Sequence, residues 1–433
     1  MAWHSTAPRR QLSADVIVVG GGSAGTVAAL AAARQGASVL LVERYGFLGG
    51  IGSQVLESLC GLFTTGEPPR KVVGGIPDRI VDGLVERGGA FYRPSTLGAV
   101  ASQVLQYNPE VLKVVLDDLS SEAGVQPLFH AWMLDVLREE GRVGGVVVAT
   151  KGGLLELRGA VVVDATGDGD VGAAAGAAYE IAGRGTSQAL TTTFRLVQVD
   201  TPRARAVPRE QLRRLLTRAR EQGWEGLPAQ EGSLTFGTIP GSVCGNVTRV
   251  SVDDPTDPFQ LAAAETQGRR QALAYIRFLK ERVAGYETAV LSWLGVHIGI
   301  RESRRIHGEY RLSVEDVRAA RRFEDRIARC GWPIELHAAA TGLRLEGLPP
   351  GAAYDIPYRC LLPKGIAGLL VAGRCLSADH EAHASVRVMG TCMAMGQAAG
   401  VAAALAAKRE RCPSDLDAGV VQERLRAMGA VLE

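Results

Sequence analysis

Cysteine, charge of one sign and long apolar runs are all scarce in this sequence, and each scarcity closes off a class of protein. The seven cysteines among 433 residues (Cys60, Cys244, Cys330, Cys360, Cys375, Cys392 and Cys412) are odd in number and widely spaced. No Cys-x-x-Cys pair occurs, which argues against a secreted disulfide framework and a structural zinc site, so no metal is expected. Reduced thiols suit a cytoplasmic protein. Basic and acidic side chains nearly cancel, 48 against 46, so bulk charge offers nothing to a nucleic acid. No uncharged stretch of about 20 apolar residues is present, and the alanine-rich run Met393 to Ala407 is too short to span a bilayer. Arg9 and Arg10 precede an apolar stretch that ends in glycines after five residues, which reads as a strand and not as an export signal.

What is present is an ordinary globular composition, 46% hydrophobic and 22% charged, in a chain long enough for two or three domains. Asp15 to Val19 reads as a strand, Gly20 to Gly25 as a glycine turn, Thr26 to Gln35 as a helix and Ser38 to Val42 as a second strand. That is a βαβ opening, which predicts a parallel sheet. Asn108 to Ala123 has helical spacing. Val125 to Phe129, Trp132 to Leu137, Val143 to Thr150, Leu154 to Leu157 and Ala160 to Val163 follow as glycine-punctuated strands, an antiparallel meander returning to the parallel sheet at Asp164. The middle of the chain mixes strand-like pieces (Thr191 to Val199, Leu234 to Ile239) with long polar helices (Pro258 to Ala284, Val314 to Ala328). Residues 365–407 return to the strand–glycine–helix style of the beginning.

Gly20-x-Gly22-x-x-Gly25 lies between a strand and a helix. Its first glycine permits the tight turn, its second lets backbone N–H groups approach a pyrophosphate, and its third lets helix and strand pack closely. Glu43 ends the next strand, where an acid accepts hydrogen bonds from a ribose. The overlapping Gly21-x-Ser23-x-Gly25 also matches the nucleophile elbow of α/β-hydrolases. That reading fails on position, since an elbow follows several strands and this one follows the first. The fold class is thus α/β: a Rossmann-like nucleotide-binding domain with a parallel sheet and an antiparallel meander, plus an inserted α+β domain. Residues 1–60, 108–190 and 346–433 are assigned to the first, 191–345 to the second as substrate domain, and 61–107 to a substrate-side segment.

Two later segments favour FAD over NAD. Asp164-Ala-Thr-Gly-Asp-Gly-Asp170 caps a returning strand, and Leu369-Leu-Val-Ala-Gly-Arg374 is another strand running into glycine, with Met395-Gly-Gln-Ala-Ala-Gly400 beyond it. They supply the second set of backbone contacts that a ribityl chain and a ring system need. These segments, with GGGSAGTVAALAAARQGASVLLVER (20–44), YGFLGG (45–50), GIRESRRIHGEY (299–310) and YDIPYRCLLPKG (354–365), resemble the bacterial FAD-dependent oxidoreductases related to the succinate dehydrogenase and fumarate reductase flavoproteins. The resemblance implies that Gly20, Gly22, Ser23, Ala24 and Gly25 hold the pyrophosphate and that Glu43 and Arg44 meet the adenosine. It implies that Gly49 and Gly50 run along the pyrophosphate and flavin, that Ala131 touches adenine, and that Asp164, Gly167 and Asp168 flank the cofactor. Gly373 and Arg374 would meet the ribityl side, and Gly396, Gln397, Ala398 and Ala399 the N1–C2=O edge of the flavin, where a helix N-terminus stabilises negative charge.

His380 and His383 stand between the last glycine turn and its helix. Each either exchanges a proton with substrate, His380 being favoured, or hydrogen-bonds the backbone around FAD. Arg387 serves as a carboxylate clamp, a flavin contact or a structural ion pair. Strand alternation would place Arg301 and Arg305 on one face and Glu302 and Arg304 on the other, with one face lining a substrate cavity or both forming a salt-bridge network. The cysteines read as buried small hydrophobes, and the arginine-rich run Arg203 to Arg220 as a solvated helix face. No second GxGxxG follows a strand, so electrons pass to or from a transient nicotinamide, a quinone, oxygen or a protein. The expected partners are a small-molecule substrate and that electron donor or acceptor, with no nucleic acid and no membrane. Hydride transfer between a small molecule and flavin N5, by a dehydrogenase or reductase, is the leading reading. A flavin monooxygenase and an RNA-modifying flavoprotein are the alternatives.

Overall fold

The computed structural model describes residues 10–54, 56–94, 102–183, 187–228, 232–338 and 342–433. Part of the export-signal reading, residues 1–9, lies outside the described residues; Arg10–Val19 is a strand. It pairs in parallel with Val39–Val42 on one side and with Gly153–Asp164 on the other. Gln126–Leu128 extends the sheet beyond Val39–Val42. On the far side Arg142–Thr150 and Trp132–Glu139 add the antiparallel meander.

Gly153–Asp164 is one continuous strand and not two separated at Gly159. Gly159 sits in it because a Cβ there would come within 2.7 Å of the Ile17 side chain in the neighbouring strand. This long strand changes neighbour partway: its first half pairs with the meander and its last residues with Leu369–Val371. The C-terminal part of the chain thereby enters the sheet beside its beginning.

Helix Ser23–Arg34 carries no charge before its last residue and is buried from Ala24 to Ala32. It packs against Met389–Lys408, a helix whose apolar window is 94% buried although it is long and apolar enough to cross a membrane. The contact is backbone on backbone. A Cβ on Gly396 would lie 2.1 Å from Ala24 O, and one on Gly400 would lie 2.1 Å from Ala28 O. Small residues at i and i+4 on both helices form this seam.

Phe194–Val197 is the centre of a second, antiparallel sheet, ordered Ser233–Phe236, Val243–Asn246, Phe194–Val197, Val290–Leu294. Helices Arg209–Glu221 and Pro258–Arg282 cover it around a separate core that includes Phe194, Tyr275, Phe278 and Leu279. The expected helix Val314 to Ala328 forms only over Val314–Arg318. Ala320 turns into the left-handed region at φ 46°, and Arg326–Cys330 becomes a strand paired with Tyr354–Pro357. The extended course buries Ile327, Ala328 and Cys330 and brings Arg322 and Arg329 to the fully buried Asp355, a partnership that a continuing helix would lose.

The helix seam yields a stability prediction. Gly396→Ala and Gly400→Ala should each cost about 1–3 kcal/mol by overpacking, read as a lower urea midpoint at unchanged slope. An unchanged midpoint in both would mean that the two backbones do not touch.

Candidate functional site

The edge where the parallel strands end faces the antiparallel sheet, and a cavity of about 840 Å³ lies between them. Its first lobe is the glycine turn. Gly20 has φ 98°, and a Cβ on it would strike Ala165 O at 2.5 Å. Gly25 closes the turn, since a Cβ there would lie 1.7 Å from Gly20 O. Gly22 differs: the nearest atom to its hypothetical Cβ is Gly50 Cα at 4.0 Å, and it caps the Ser23–Arg34 helix with no side chain satisfying the first N–H groups. Open space before an uncapped helix N-terminus is a site for an anion. Gly20, Gly22, Ser23, Ala24 and Gly50 line it. Gly49 faces away and holds Gly21 O through its N–H.

Glu43, buried at the end of its strand, accepts from Gly21 N at 2.7 Å and Tyr45 N at 2.8 Å. Burial pushes its carboxyl up, against those N–H donors and Arg44. Glu43 thus braces the glycine turn while still lining the cavity beside Arg44 and Ala131. The Arg44 guanidinium lies over the rings of Tyr45 and Trp132. On the opposite wall stand Gly167, Asp168, Gly373 and Arg374. Asp168 accepts from Arg374 Nη2 at 2.9 Å and from Ser303 Oγ at 2.7 Å. Burial would raise its pKa, but the guanidinium and hydroxyl outweigh it and hold the carboxyl below its usual range.

Several expected residues stand elsewhere. Asp164 is fully buried behind its loop, where it accepts from Thr166 N, Thr166 Oγ1 and Gly172 N. Burial pushes its pKa up to about 6, and it shapes the loop without lining the cavity. Gly396, Gln397, Ala398 and Ala399 lie in the helix seam and core, with Gln397 accepting from Ile76 N. Their helix starts at Met389, so two turns separate them from its uncapped N-terminus, where Val388, Met389 and Cys392 meet the cavity. His380 and His383 also miss the cavity. His380 Nδ1 donates to Glu302 at 2.9 Å. His383 is fully buried, donates from Nε2 to Arg374 O, and is held down to about 3 by burial first of all. It is a neutral brace for the Arg374 turn. Alternation fails after Arg301, because residues 301–304 are irregular and Arg305 folds back onto Glu302 and Glu180.

Arg301 and Arg387 do reach the cavity, at its second lobe. The sequence reading missed what joins them there: Thr191, Arg249, Glu335 and His337. Arg301 Nη1 donates to Ala189 O and Thr191 Oγ1, and its Nη2 to Asn246. Arg249 donates to Thr191 Oγ1, Thr248 O and His337 Nδ1. A guanidinium only donates, so Nδ1 of His337 is bare and Nε2–H donates to Glu335 Oε1 at 3.0 Å. Burial and the Arg301 charge hold His337 down to about 3. Burial pushes the Glu335 carboxyl up, but His337, Arg387 and Trp332 together outweigh it and hold it well below the usual carboxylate range. These residues carry no motif, and the one local signal available is the apolar–polar alternation of the strand Ile334–Ala338, which went unused in the sequence reading. Arg205 and Arg209, from the run read as a solvated face, also line the cavity. Cys60 and Cys392 line it as well, and burial pushes both thiols up to about 12, so they are neutral there.

A family model described as "FAD dependent oxidoreductase" matches residues 15–425. A thiamine thiazole synthase from Aeropyrum pernix is 31% identical over 176 residues, which cover 37% of this chain and 56% of the relative. A digeranylgeranylglycerophospholipid reductase 1 from Methanopyrus kandleri is 32% identical over 154 residues, 35% of this chain and 39% of that one. The matches thus span about half or less of these curated relatives. Among solved structures, a geranylgeranyl bacteriochlorophyll reductase-like protein from Thermoplasma acidophilum superposes with a TM-score of 0.52 at 16% identity, covering 96% of this chain and 83% of its own. That likeness shows the fold. FAD is the cofactor of this family, and the open space at Gly22 with the uncapped helix behind it fits a pyrophosphate.

Gly22→Ala separates binding from folding. The new methyl meets no protein atom, so urea stability should stay within about 0.5 kcal/mol, while FAD affinity falls at least about tenfold through loss of the close backbone approach. Equal cofactor content in the purified variant would remove the pyrophosphate from this turn. The buried neutral His383 predicts an acid-side loss of stability. Unfolded, it binds a proton near 6.5; folded, only near 3, so unfolding takes up a proton and stability falls as pH drops between those values, by up to about 1.4 kcal/mol per pH unit. His383→Gln, measured by urea midpoints from pH 7 to 5, should show a shallower fall; an equal slope would mean that His383 titrates normally in the fold.

Proposed function

Because the chain belongs to the FAD dependent oxidoreductase family, we propose that it moves a hydride between a small organic molecule and FAD, with the substrate in the lobe around Arg301 and His337. The observation that carries this reading is that the polar lobe and the nucleotide groove are one continuous cavity, which the start of the Met389–Lys408 helix also lines. FAD, when bound, supplies the hydride acceptor or donor. Gly20, Gly22, Ser23, Ala24, Gly50, Glu43, Arg44, Ala131, Gly167, Asp168, Gly373 and Arg374 are the residues that would hold it. The N-terminal end of the Met389–Lys408 helix, which has no side-chain cap, favours negative charge at its end of the cavity.

Proton transfer falls to His337 and Glu335. A substrate that takes Arg249 away from His337 Nδ1 leaves that nitrogen facing its O–H or N–H group. Glu335, hydrogen-bonded at Nε2, stabilises the imidazolium that forms when Nδ1 accepts the proton. The reverse transfer serves a reductase. Burial of the pair keeps bulk water away from the exchanged proton.

The test is anaerobic mixing of the purified yellow protein with candidate substrates. Bleaching of the flavin without oxygen, and product free of label from ¹⁸O₂ in aerobic turnover, agree with hydride transfer; label in the product sinks it. His337→Gln and Glu335→Gln should retain FAD and slow the bleaching by about 10²–10⁴-fold. Unaltered rates in both would take the pair out of the proton path.

A further inference from the structure

We propose that the substrate is a small organic acid, held by its carboxylate between Arg249, Arg301 and Arg387. This deepens the hydride-transfer reading and rests on it for the location of the substrate. The three guanidiniums line the same cavity as Glu335, while Glu57, a further acid on its lining, is already paired with Arg195. Their proximity is visible in shared partners. Arg249 and Arg301 both donate to Thr191 Oγ1, and Arg387 Nη2 donates to the backbone oxygen of Glu335, whose side chain holds His337 against Arg249. Glu302, the other acid acting on Arg387, is engaged by Arg305 and His380. His337 is neutral and adds no charge of its own. The lobe therefore holds more positive than negative charge in a place shielded from water, an arrangement that costs free energy unless an anion completes it.

The strain of that crowding shows in the arginines themselves. Burial, and then the charges of Arg249 and Arg387, hold Arg301 well below its usual range. Burial holds Arg249 down to about 10. Arg387 Nε and the nearby Gln188 Nε2 are buried donors without a partner. Donors of this number and planarity fit a carboxylate, which offers two oxygens and four lone-pair sites to forked guanidiniums. A neutral alcohol or amine offers too few acceptors. The bound carboxylate offsets the charge that keeps His337 neutral, so its arrival raises the proton affinity of the imidazole toward the working pH and readies the His337–Glu335 pair for transfer. Trp332 and Leu343 line the same lobe and supply apolar surface for the carbon chain of the acid.

The experiment uses the FAD-loaded protein and two readouts, thermal midpoint and flavin difference spectrum, with malonate, succinate, glutarate and benzoate as probes. Inorganic phosphate, the matching diamides and sodium chloride at equal ionic strength are the controls. At least one carboxylate should raise the midpoint and perturb the flavin spectrum in a saturable way, while its diamide and the salt do neither. Arg301→Gln and Arg387→Gln should keep FAD and weaken that binding by about tenfold or more. Arg249→Lys, which keeps the charge and loses the fork, should weaken it less and serves if either glutamine variant fails to fold. Saturation by phosphate with none by any carboxylate, or carboxylate binding indifferent to all three substitutions, overturns the proposal. A carboxylate that binds through the arginines without reducing flavin upholds the anion site and counts against the hydride reading alone. Flavin bleaching by a neutral substrate, indifferent to the arginines, does the opposite.

Discussion

Everything in this protein depends on two helices whose backbones touch. Ser23–Arg34 comes from the beginning of the chain and Met389–Lys408 from near its end, and Gly396 and Gly400 let them meet at Ala24 and Ala28 with no side chain between. That contact fixes the distance between two uncapped helix N-termini, one at Gly22 and one at Val388. Both open onto the same cavity. A nucleotide with charge at its pyrophosphate and a polar ring at its far end needs donors at those two separated points. A bulkier residue in the seam would move one terminus relative to the other before it touched any ligand.

The second lobe has a different origin. Its arginines, glutamate and histidine come from the antiparallel sheet region, from the irregular segment after Gly299, from the strand Ile334–Ala338 and from the C-terminal end of the short helix His380–Val386. The arginines are anchored to backbone, hydroxyl and amide oxygens, and Glu335 and His337 to each other, to Trp332 and to Arg249, so the positive lobe is held in place without a ligand. Meanwhile the histidines that neighbour the flavin end in sequence are used to brace loops. His383 holds the Arg374 turn, and His380 completes the Glu302–Arg305 group outside the cavity. Proximity along the chain to a cofactor motif is therefore a weak guide to chemistry here, because a residue at the first turn of a short helix can face the outside of the turn that it caps.

The glycine turn, its strand and helix, Glu43, the Asp168 loop and the Gly373 turn were legible because backbone conformation and close approach impose residue types that no tertiary contact can replace. Gly20 at positive φ and Gly25 against Gly20 O admit no side chain. The meander was legible too, apart from Gly159, which suggested a break and instead makes room for Ile17. The helix expected over Val314 to Ala328 was misread because its periodicity over the first turn is genuine, while the buried Asp355 that draws the rest into a strand lies some thirty residues on. Gly396 to Ala399 were misplaced for a related reason: small residues are required both where a backbone meets a ligand and where two helices meet, and composition alone does not distinguish them.

By itself, then, the sequence determined that this chain builds an α/β nucleotide groove for FAD, since local sterics of glycine and the ends of strands and helices are set within a few residues. Which polar side chains meet beside that groove was decided by tertiary structure alone. Thr191, Arg249, Arg301, Glu335, His337 and Arg387 are spread over nearly two hundred residues and share no spacing. Only the packing of one sheet over the edge of another brings their charges close enough to act on a single molecule.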